Sequence, residues 1–274
     1  MSNLLKHYGP WALIAGGSEG IGLCFARRLA EAGINLLLLA RRAGPLEAAG
    51  EALEADYPVE VHTHAADLTS GTIREELEAI TAGLEIGLLV YNAGAAHGAA
   101  LFHDEPLEQA QKMVALNCTG PLLFAHHLGT GMRERGRGGI ILLSSMAGLG
   151  GSGYIATYAA TKAFDIALAE GLWAELTPHG VHVLGLVAGS TDTPAMADAG
   201  IDFQDGEAMD PDEVAREGLE RLPHGPLHIA GEHNRAVADF MRSGERRTPV
   251  SLVTQASAAL FGLQAPTLPG PEDR

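Results

Sequence analysis

Short apolar segments that alternate with helical segments limit what this chain can fold into. Several of them are apolar at almost every position, as strands buried on both faces must be. The predicted strands are residues 12–15, 36–39, 59–61, 88–90, 140–143, 181–187 and 227–230. The predicted helices are residues 21–31, 44–55, 73–82, 107–135, 157–177 and 211–222, with one or two more from residue 232 onward. This alternation predicts an α/β fold, a doubly wound parallel sheet of about seven strands with helices on both faces.

The strand–helix units follow one another without an internal repeat or a linker, so we expect a single domain over residues 1–274. Residues 188–212 are rich in Gly, Ala, Asp and Thr and have few apolar anchors. Because they follow a buried strand, they are predicted to form a loop that covers the substrate. Residues 265–274 contain three prolines and are predicted to fray.

The charge balance limits the classes of partner. Lys and Arg number 18 against 34 Asp and Glu, which gives a formal charge of −16. Such a chain repels the phosphates of nucleic acid and of anionic membrane surfaces. The longest apolar run, residues 34–40, is too short to span a bilayer, and residues 1–10 lack the apolar core of a signal peptide. We therefore expect a small-molecule partner, with no nucleic acid and no membrane span.

Cysteines and histidines give no sign of a metal or disulfide framework. The two cysteines, Cys24 and Cys118, are too few for a disulfide scaffold, which favours a cytoplasmic location. Among the 12 histidines, His62 and His64 would share one strand face. They have no third ligand at a metal-binding spacing, so no metal is expected.

A glycine-rich segment joins the first predicted strand to the first predicted helix. Gly16, Gly20 and Gly22 lack a Cβ, which permits a tight turn, close approach of a pyrophosphate and close packing of helix on strand. The helix N-terminus adds free N–H groups and a partial positive charge, which suit an anion. This placement predicts a dinucleotide-binding Rossmann fold.

The end of the second predicted strand would face the adenosine ribose. An acidic residue there would bind a free 2′-hydroxyl, whereas an arginine pairs with a 2′-phosphate. This chain has Ala40 followed by Arg41 and Arg42, which favours NADP(H) over the alternative, NAD(H). Glu19 opposes that preference if its carboxylate points the same way, and Arg42 is read equally well as capping an exposed loop.

Tyr158 and Lys162 lie four residues apart on one predicted helix and therefore share a face. An unperturbed phenol has a pKa near ~10, and a nearby ammonium favours its ionised form. Ser145 ends the strand upstream, where a hydroxyl can donate to a carbonyl oxygen that gains negative charge. For its neighbour Ser144 we favour a helix cap or a turn.

With these residues the chain resembles the short-chain dehydrogenase/reductase family over residues 11–196. The matching motifs are Gly-x-x-x-Gly-x-Gly at 16–22, Asn-Ala-Gly at 92–94, Ser145, and Tyr-x-x-x-Lys at 158–162. The resemblance implies reversible hydride transfer between a nicotinamide cofactor and a ketone or secondary alcohol. It makes Tyr158 the acid–base, with Ser145 orienting the carbonyl, Lys162 binding the nicotinamide ribose and Asn117 holding a water of the proton relay.

The resemblance also implies a cofactor site along the strand ends. Its residues are Gly16, Ser18, Glu19, Gly20, Ile21, Gly22, Arg41, Arg42, Asp67, Leu68, Asn92, Ala93, Gly94, Tyr158, Lys162, Gly189, Thr191 and Thr193. Asp67 would meet the adenine amino group and Thr193 the nicotinamide carboxamide. The expected substrate contacts are Ser145, Tyr154, Tyr158 and Met196.

The chain departs from the family pattern at three positions. Ala15 replaces a threonine whose hydroxyl ties the glycine loop to the segment at Asn92, Tyr91 stands where a second asparagine is common, and Ala188 replaces a proline. None of these changes removes a reacting group.

The apolar cleft candidates and the segment 234–241 resemble family members that act on steroids or 3-oxoacyl chains, which implies a lipophilic ketone, steroid-like or 3-oxoacyl, as substrate. A catalytically silent NADP-binding sensor or scaffold is an alternative, and a sugar epimerase or dehydratase is another. The family commonly assembles through its long helices, and the small apolar stretch 164–172 fits that use. We therefore expect a homodimer or homotetramer.

Overall fold

The computed structural model describes residues 2–94, 98–204, 206–243 and 245–266. A seven-stranded sheet has the order β3-β2-β1-β4-β5-β6-β7, and all its strand pairs are parallel. The strands are β1 (Trp11–Ala15), β2 (Asn35–Ala40), β3 (Val61–Ala65), β4 (Ile86–Tyr91), β5 (Gly138–Ser145), β6 (Val181–Ala188) and β7 (Leu227–Ile229). The predicted fold class is confirmed.

The prediction for the third strand was wrong. The apolar pattern placed it at 59–61, whereas β3 spans Val61–Ala65 and includes His62, Thr63 and His64. This strand lies at the edge of the sheet and is half exposed. An edge strand does not need apolar residues on both faces, so the apolar pattern fails there.

Helices cover both faces of the sheet. They are α1 (Ser2–Tyr8), α2 (Gly20–Glu31), α3 (Ala43–Asp56), α4 (Ile73–Thr81), α5 (Leu107–Val114), α6 (Gly120–Arg135), α7 (Ala156–Leu176), α8 (Pro194–Asp198), α9 (Pro211–Arg221), α10 (Glu232–Ser243) and α11 (Arg247–Leu260). The single helix predicted over 107–135 is interrupted by a π-helical turn, Ala115–Thr119.

The core consists of two layers, one on each face of the sheet. Alternate residues of a strand point to opposite faces, so in β1 Ile14 packs with Phe25 of α2, and Leu13 packs with Phe124 of α6. Phe25 and Phe124 are fully buried. The uniformly apolar sequence of β1 is therefore explained, because its side chains contribute to both core layers.

Among its described residues, the segment 188–212 contains the short helix α8, the first two residues of α9 and a bridge between Thr191 and Met209. The predicted frayed tail lies outside the described residues from position 267 onward. Within the described part of the chain, no helix is both long and apolar enough to cross a membrane.

Candidate active site

The candidate site lies at the carboxyl ends of the central strands, where the strand order reverses between β1 and β4. Ligands of open α/β sheets bind at this switch point. The backbone N–H groups of Gly16 and Gly17 both donate to Leu39 O, at 2.7 and 3.2 Å, so the loop after β1 is fixed to the end of β2.

The glycines of this loop are required by its shape. Gly16 and Gly20 have φ of +81° and +54°, in the left-handed region that side chains disfavour. A Cβ at Gly22 would overlap the carbonyl oxygen of Gly16. Gly16 and Gly20 therefore permit the turn and Gly22 permits close packing of α2 on the loop, and these are the features that a pyrophosphate at the N-terminus of a helix requires.

Asn92 ties the glycine loop to β4. Its amide Nδ2 donates to Gly16 O at 2.9 Å, and the N–H groups of Asn92 and Ala93 donate to Ala15 O at 3.0 and 2.7 Å. The glycine loop and β4 are thus joined without a side-chain hydroxyl at position 15.

The segment after β6 reaches the same loop. A Cβ at Gly20 would lie 3.2 Å from Cγ2 of Thr193, which precedes α8. Thr191 is 4% exposed and donates its hydroxyl to Gly189 O at 3.1 Å. The side chain of Asn234 packs where a Cβ of Gly189 would be, so α10 supports this segment from behind.

The adenosine end of the predicted site carries charges of both signs. Arg42 Nη2 lies 2.5 Å from Glu19 Oε2, so these two charges offset each other. Arg41 is exposed. Asp67 Oδ1 accepts bonds from the backbone N–H and the hydroxyl of Thr69, which lower the pKa of the Asp67 carboxyl. Leu68 beside it is buried.

Lys162 projects from α7 toward the end of β5. Its Nζ donates to Leu143 O at 2.7 Å and to Asp165 Oδ2 at 3.0 Å. A Cβ at Gly94 would lie 3.2 Å from that Nζ and 3.5 Å from Asn117 Oδ1. Three predicted site residues from separate elements, Gly94, Asn117 and Lys162, therefore meet at one point.

The π-helical turn places Asn117. Gly120 N–H donates to Ala115 O, five residues back, which leaves Leu116 O to accept the Tyr91 hydroxyl at 2.8 Å. Asn117, 1% exposed, donates from Nδ2 to Thr161 Oγ1 at 3.0 Å. Such turns are common at functional sites. Tyr91, which departs from the family pattern, is the residue whose hydroxyl donates to the Leu116 carbonyl.

Ser144 and Ser145 at the end of β5 have different surroundings. Ser144 is 3% exposed and donates to Lys162 O at 2.7 Å, so it joins β5 to α7 and does not form the helix cap or turn predicted for it. Ser145 is only half-buried and caps the short helical turn Met146–Leu149 by accepting Ala147 N–H at 3.2 Å. Its hydroxyl proton is not used by that bond.

Tyr154 has a positive φ of 63°, which is unusual for a residue other than glycine. Its hydroxyl donates to Gln264 O at 2.8 Å, and its carbonyl accepts Ala100 N–H at 3.0 Å. The predicted substrate residue Tyr154 thus joins two distant loops. Met196 lies in α8, beside Thr193.

Asp165 is the site residue that we did not predict. It is 3% exposed, and burial raises the pKa of its carboxyl to about 6 against the opposing effect of Lys162. Its Oδ1 has no hydrogen-bond partner among the described residues. The available signal was one carboxylate in the otherwise uncharged run 163–169, three residues after Lys162.

Among the described residues there is no group of three or more His, Cys, Asp or Glu placed to hold a metal. His62 lies 2.7 Å from Glu60, and His64 lies 3.4 Å from Glu76.

Comparison with known proteins places the chain among dehydrogenases. Residues 10–202 match the family described as short chain dehydrogenase. A 7beta-hydroxysteroid dehydrogenase of Collinsella aerofaciens is 31% identical over 238 residues, which cover 85% of this chain and 90% of that protein.

Solved structures of dehydrogenases and reductases are also similar to this chain. A structure from a study of 7beta-hydroxysteroid dehydrogenase stereoselectivity superposes with a TM-score of 0.86 at 29% identity, covering 92% of this chain and 99% of the other. A short-chain dehydrogenase from Sphingobium yanoikuyae in complex with NADPH has a TM-score of 0.75 at 30% identity, covering 86% and 94%. A 3-oxoacyl-[acyl-carrier protein] reductase from Brucella melitensis with bound NAD has a TM-score of 0.70 at 26% identity, covering 81% and 89%.

Proposed function

Because the chain belongs to the short-chain dehydrogenase family, we propose that it reduces lipophilic ketones and oxidises the matching secondary alcohols, with NADP(H) as the preferred cofactor. One observation carries this proposal. The Lys162 ammonium, one helical turn from Tyr158, lies with Asn117 and Gly94 at the strand ends beside the glycine loop.

The chemistry divides among four side chains. A nicotinamide cofactor, when bound, supplies the hydride for reduction and accepts it in oxidation. In the reducing direction Ser145 donates a hydrogen bond to the carbonyl oxygen and Tyr158 gives that oxygen a proton. Lys162 favours the phenolate that remains and holds the cofactor ribose. Asn117 holds the water through which the proton is replaced.

The cofactor preference rests on Arg41. Arg42 is already paired with Glu19, whereas Arg41 is exposed at the end of β2, where a 2′-phosphate would lie. A charge-assisted hydrogen bond contributes about 1.5–3 kcal/mol. Arg41→Ala is therefore expected to raise the Kd for NADPH by about 10–100-fold and to leave the Kd for NADH nearly unchanged, as measured by fluorescence titration.

Arg42→Ala is the matched control for Arg41→Ala. It removes the same charge from the neighbouring position. It is expected to raise the Kd for NADPH less than Arg41→Ala does, since Glu19 offsets the charge of Arg42. An equal rise in the Kd for NADPH and in the Kd for NADH in Arg41→Ala would show that Arg41 does not select the 2′-phosphate.

The substrate class follows from the relatives and the cleft. The similar proteins act on a hydroxysteroid and a 3-oxoacyl group by their names, and Tyr154 and Met196 would add apolar surface beside Tyr158. We expect NADPH oxidation with steroid ketones, 3-oxoacyl thioesters or bulky aromatic ketones. Turnover of nucleotide sugars instead would favour the epimerase alternative, and binding of NADPH without any turnover would favour a sensor.

A homo-oligomer is proposed from an apolar stripe on the helix pair α5 and α6. Leu107, Val114 and Leu122 are 62%, 44% and 50% exposed and recur at seven- and eight-residue spacing. Leu122→Asp is expected to convert the assembly to monomers in light scattering, because a carboxylate would be buried at the interface. Leu263→Asp, at an exposed leucine outside these helices, should leave it intact. A monomeric wild type at micromolar concentration would contradict the proposal.

A further inference from the structure

A buried carboxylate holds the lysine on which the proposed chemistry depends. Lys162 and Asp165 form an ion pair of 3.0 Å, and their side chains are 6% and 4% exposed. The ammonium is also bonded to Leu143 O at 2.7 Å. Two of its three protons are therefore directed to fixed acceptors, which leaves one for a ligand.

From this geometry we propose that Asp165 is a positioning residue that fixes the Lys162 ammonium and offsets part of its charge, and so sets the pH range in which Tyr158 exchanges its proton. The inference rests on the proposed function of Tyr158 and Lys162. An ammonium alone would favour the Tyr158 phenolate more strongly than an ammonium paired with a carboxylate does.

Few titratable groups lie near Asp165 in the described part of the chain. Those that act on it or respond to it are Lys162 on its own helix, Tyr91 at the end of β4 and Cys118 in the π-helical turn. Burial raises the pKa of Tyr91, and it raises the pKa of Cys118 to about 11, so both stay neutral near pH 7. Lys162 is thus the one cation among these groups.

Distance along the helix gives the size of the effect. Asp165 follows Tyr158 by seven residues, so their Cα atoms lie about 10 Å apart along the helix axis at ~1.5 Å per residue. A unit charge at that distance in a partly buried site shifts a titration by about 0.5–1 pH unit. The sign follows from the charge, because removing a negative charge favours the phenolate.

The test is the pH profile of kcat/KM for alcohol oxidation, which rises as the base ionises. Asp165→Asn keeps the shape of the side chain, and its amide oxygen can still accept a bond from Lys162. Its midpoint is expected about 0.5–1 pH unit below that of the wild type. The two profiles should converge below about pH 6, where burial keeps the Asp165 carboxyl protonated because of its raised pKa. An unchanged midpoint, even with lower turnover at every pH, would overturn the proposal.

Glu170→Gln is the matched control, because Glu170 lies on the same helix, is exposed and is five residues further from Tyr158 than Asp165 is. Its midpoint is expected to equal that of the wild type. If Asp165→Asn does not fold, Asp165→Ser, which also removes the carboxylate, takes its place. Failure of both variants to fold would assign Asp165 to stability alone and contradict the proposal.

A second measurement separates this inference from the proposed function, because it needs no turnover. Lys162→Met leaves Asp165 buried without its counter-ion. It is expected to lower Tm more in the wild-type background than in the Asp165→Asn background. Additive Tm changes would show that the pair is not coupled. A coupled pair in a protein without ketone turnover would instead contradict only the proposed function.

Discussion

Replacement of Tyr158 by phenylalanine is expected to lower kcat for ketone reduction by about 10²–10⁴-fold, the usual contribution of a positioned acid–base group. Phenylalanine keeps the ring but has no hydroxyl with which to protonate the carbonyl oxygen. Cofactor affinity should stay nearly unchanged, since Lys162 and the glycine loop remain. The rate is followed by NADPH oxidation, and the Kd for NADPH by fluorescence titration.

Tyr57→Phe is the matched control for this variant. Tyr57 follows α3, far along the chain from the strand ends of β4 and β5, and it is half-buried as Tyr158 is. Its loss of a hydroxyl should leave kcat at the wild-type value. Wild-type kcat in Tyr158→Phe would remove Tyr158 from the chemistry.

Gly22→Ala is expected to weaken cofactor binding by about 5–150-fold. The added methyl group would overlap Gly16 O and approach Asn92 Nδ2 to 2.7 Å, so it would displace the bond that ties the loop to β4. Overpacking of this kind costs about 1–3 kcal/mol, and every ~1.4 kcal/mol is a factor of ten in affinity. Titration with NADPH measures the effect.

Gly71→Ala controls for the loss of a glycine as such. A Cβ at Gly71 has no heavy atom within 4 Å, and the residue is exposed. Cofactor affinity and Tm should match the wild type. A folded Gly22→Ala protein that binds NADPH normally would show that the loop does not cradle the cofactor.

The central strands were predictable because burial on both faces leaves little but apolar side chains, as in Leu36–Leu39 of β2. β3 was misplaced because an exposed edge has no such requirement. Apolar spacing alone did not predict the break in the helix over 107–135, although Pro121, which has no N–H to donate, is a local signal of it. The partner of the Leu116 carbonyl, the hydroxyl of Tyr91 25 positions away, has no local signal.

The candidate site residues could be predicted from the sequence because the chemistry and the family motifs need particular side chains at particular places, as at Tyr158 and Lys162. Their roles remain predictions until the variants above are made. Asp165 escaped because a lone acid on a helix is most often solvent-exposed, and only its packing against Lys162 shows otherwise. The hydrogen bond from Tyr154 to Gln264 joins residues 110 positions apart, so the periodicity of the sequence could not predict it either.

The bond from Tyr154 to Gln264 is one of three that hold the segment before Tyr158 in place. The segment just before Tyr158 is shaped from the C-terminal end: Gly153 N–H bonds to Thr254, Ser152 to Ser257, and Tyr154 to Gln264. Those three partners lie beyond residue 202, where the family match ends. We therefore expect that exchanging residues 247–264 for those of a relative changes which substrates are accepted, while Tyr158 and Lys162, which lie within the family match, stay the same.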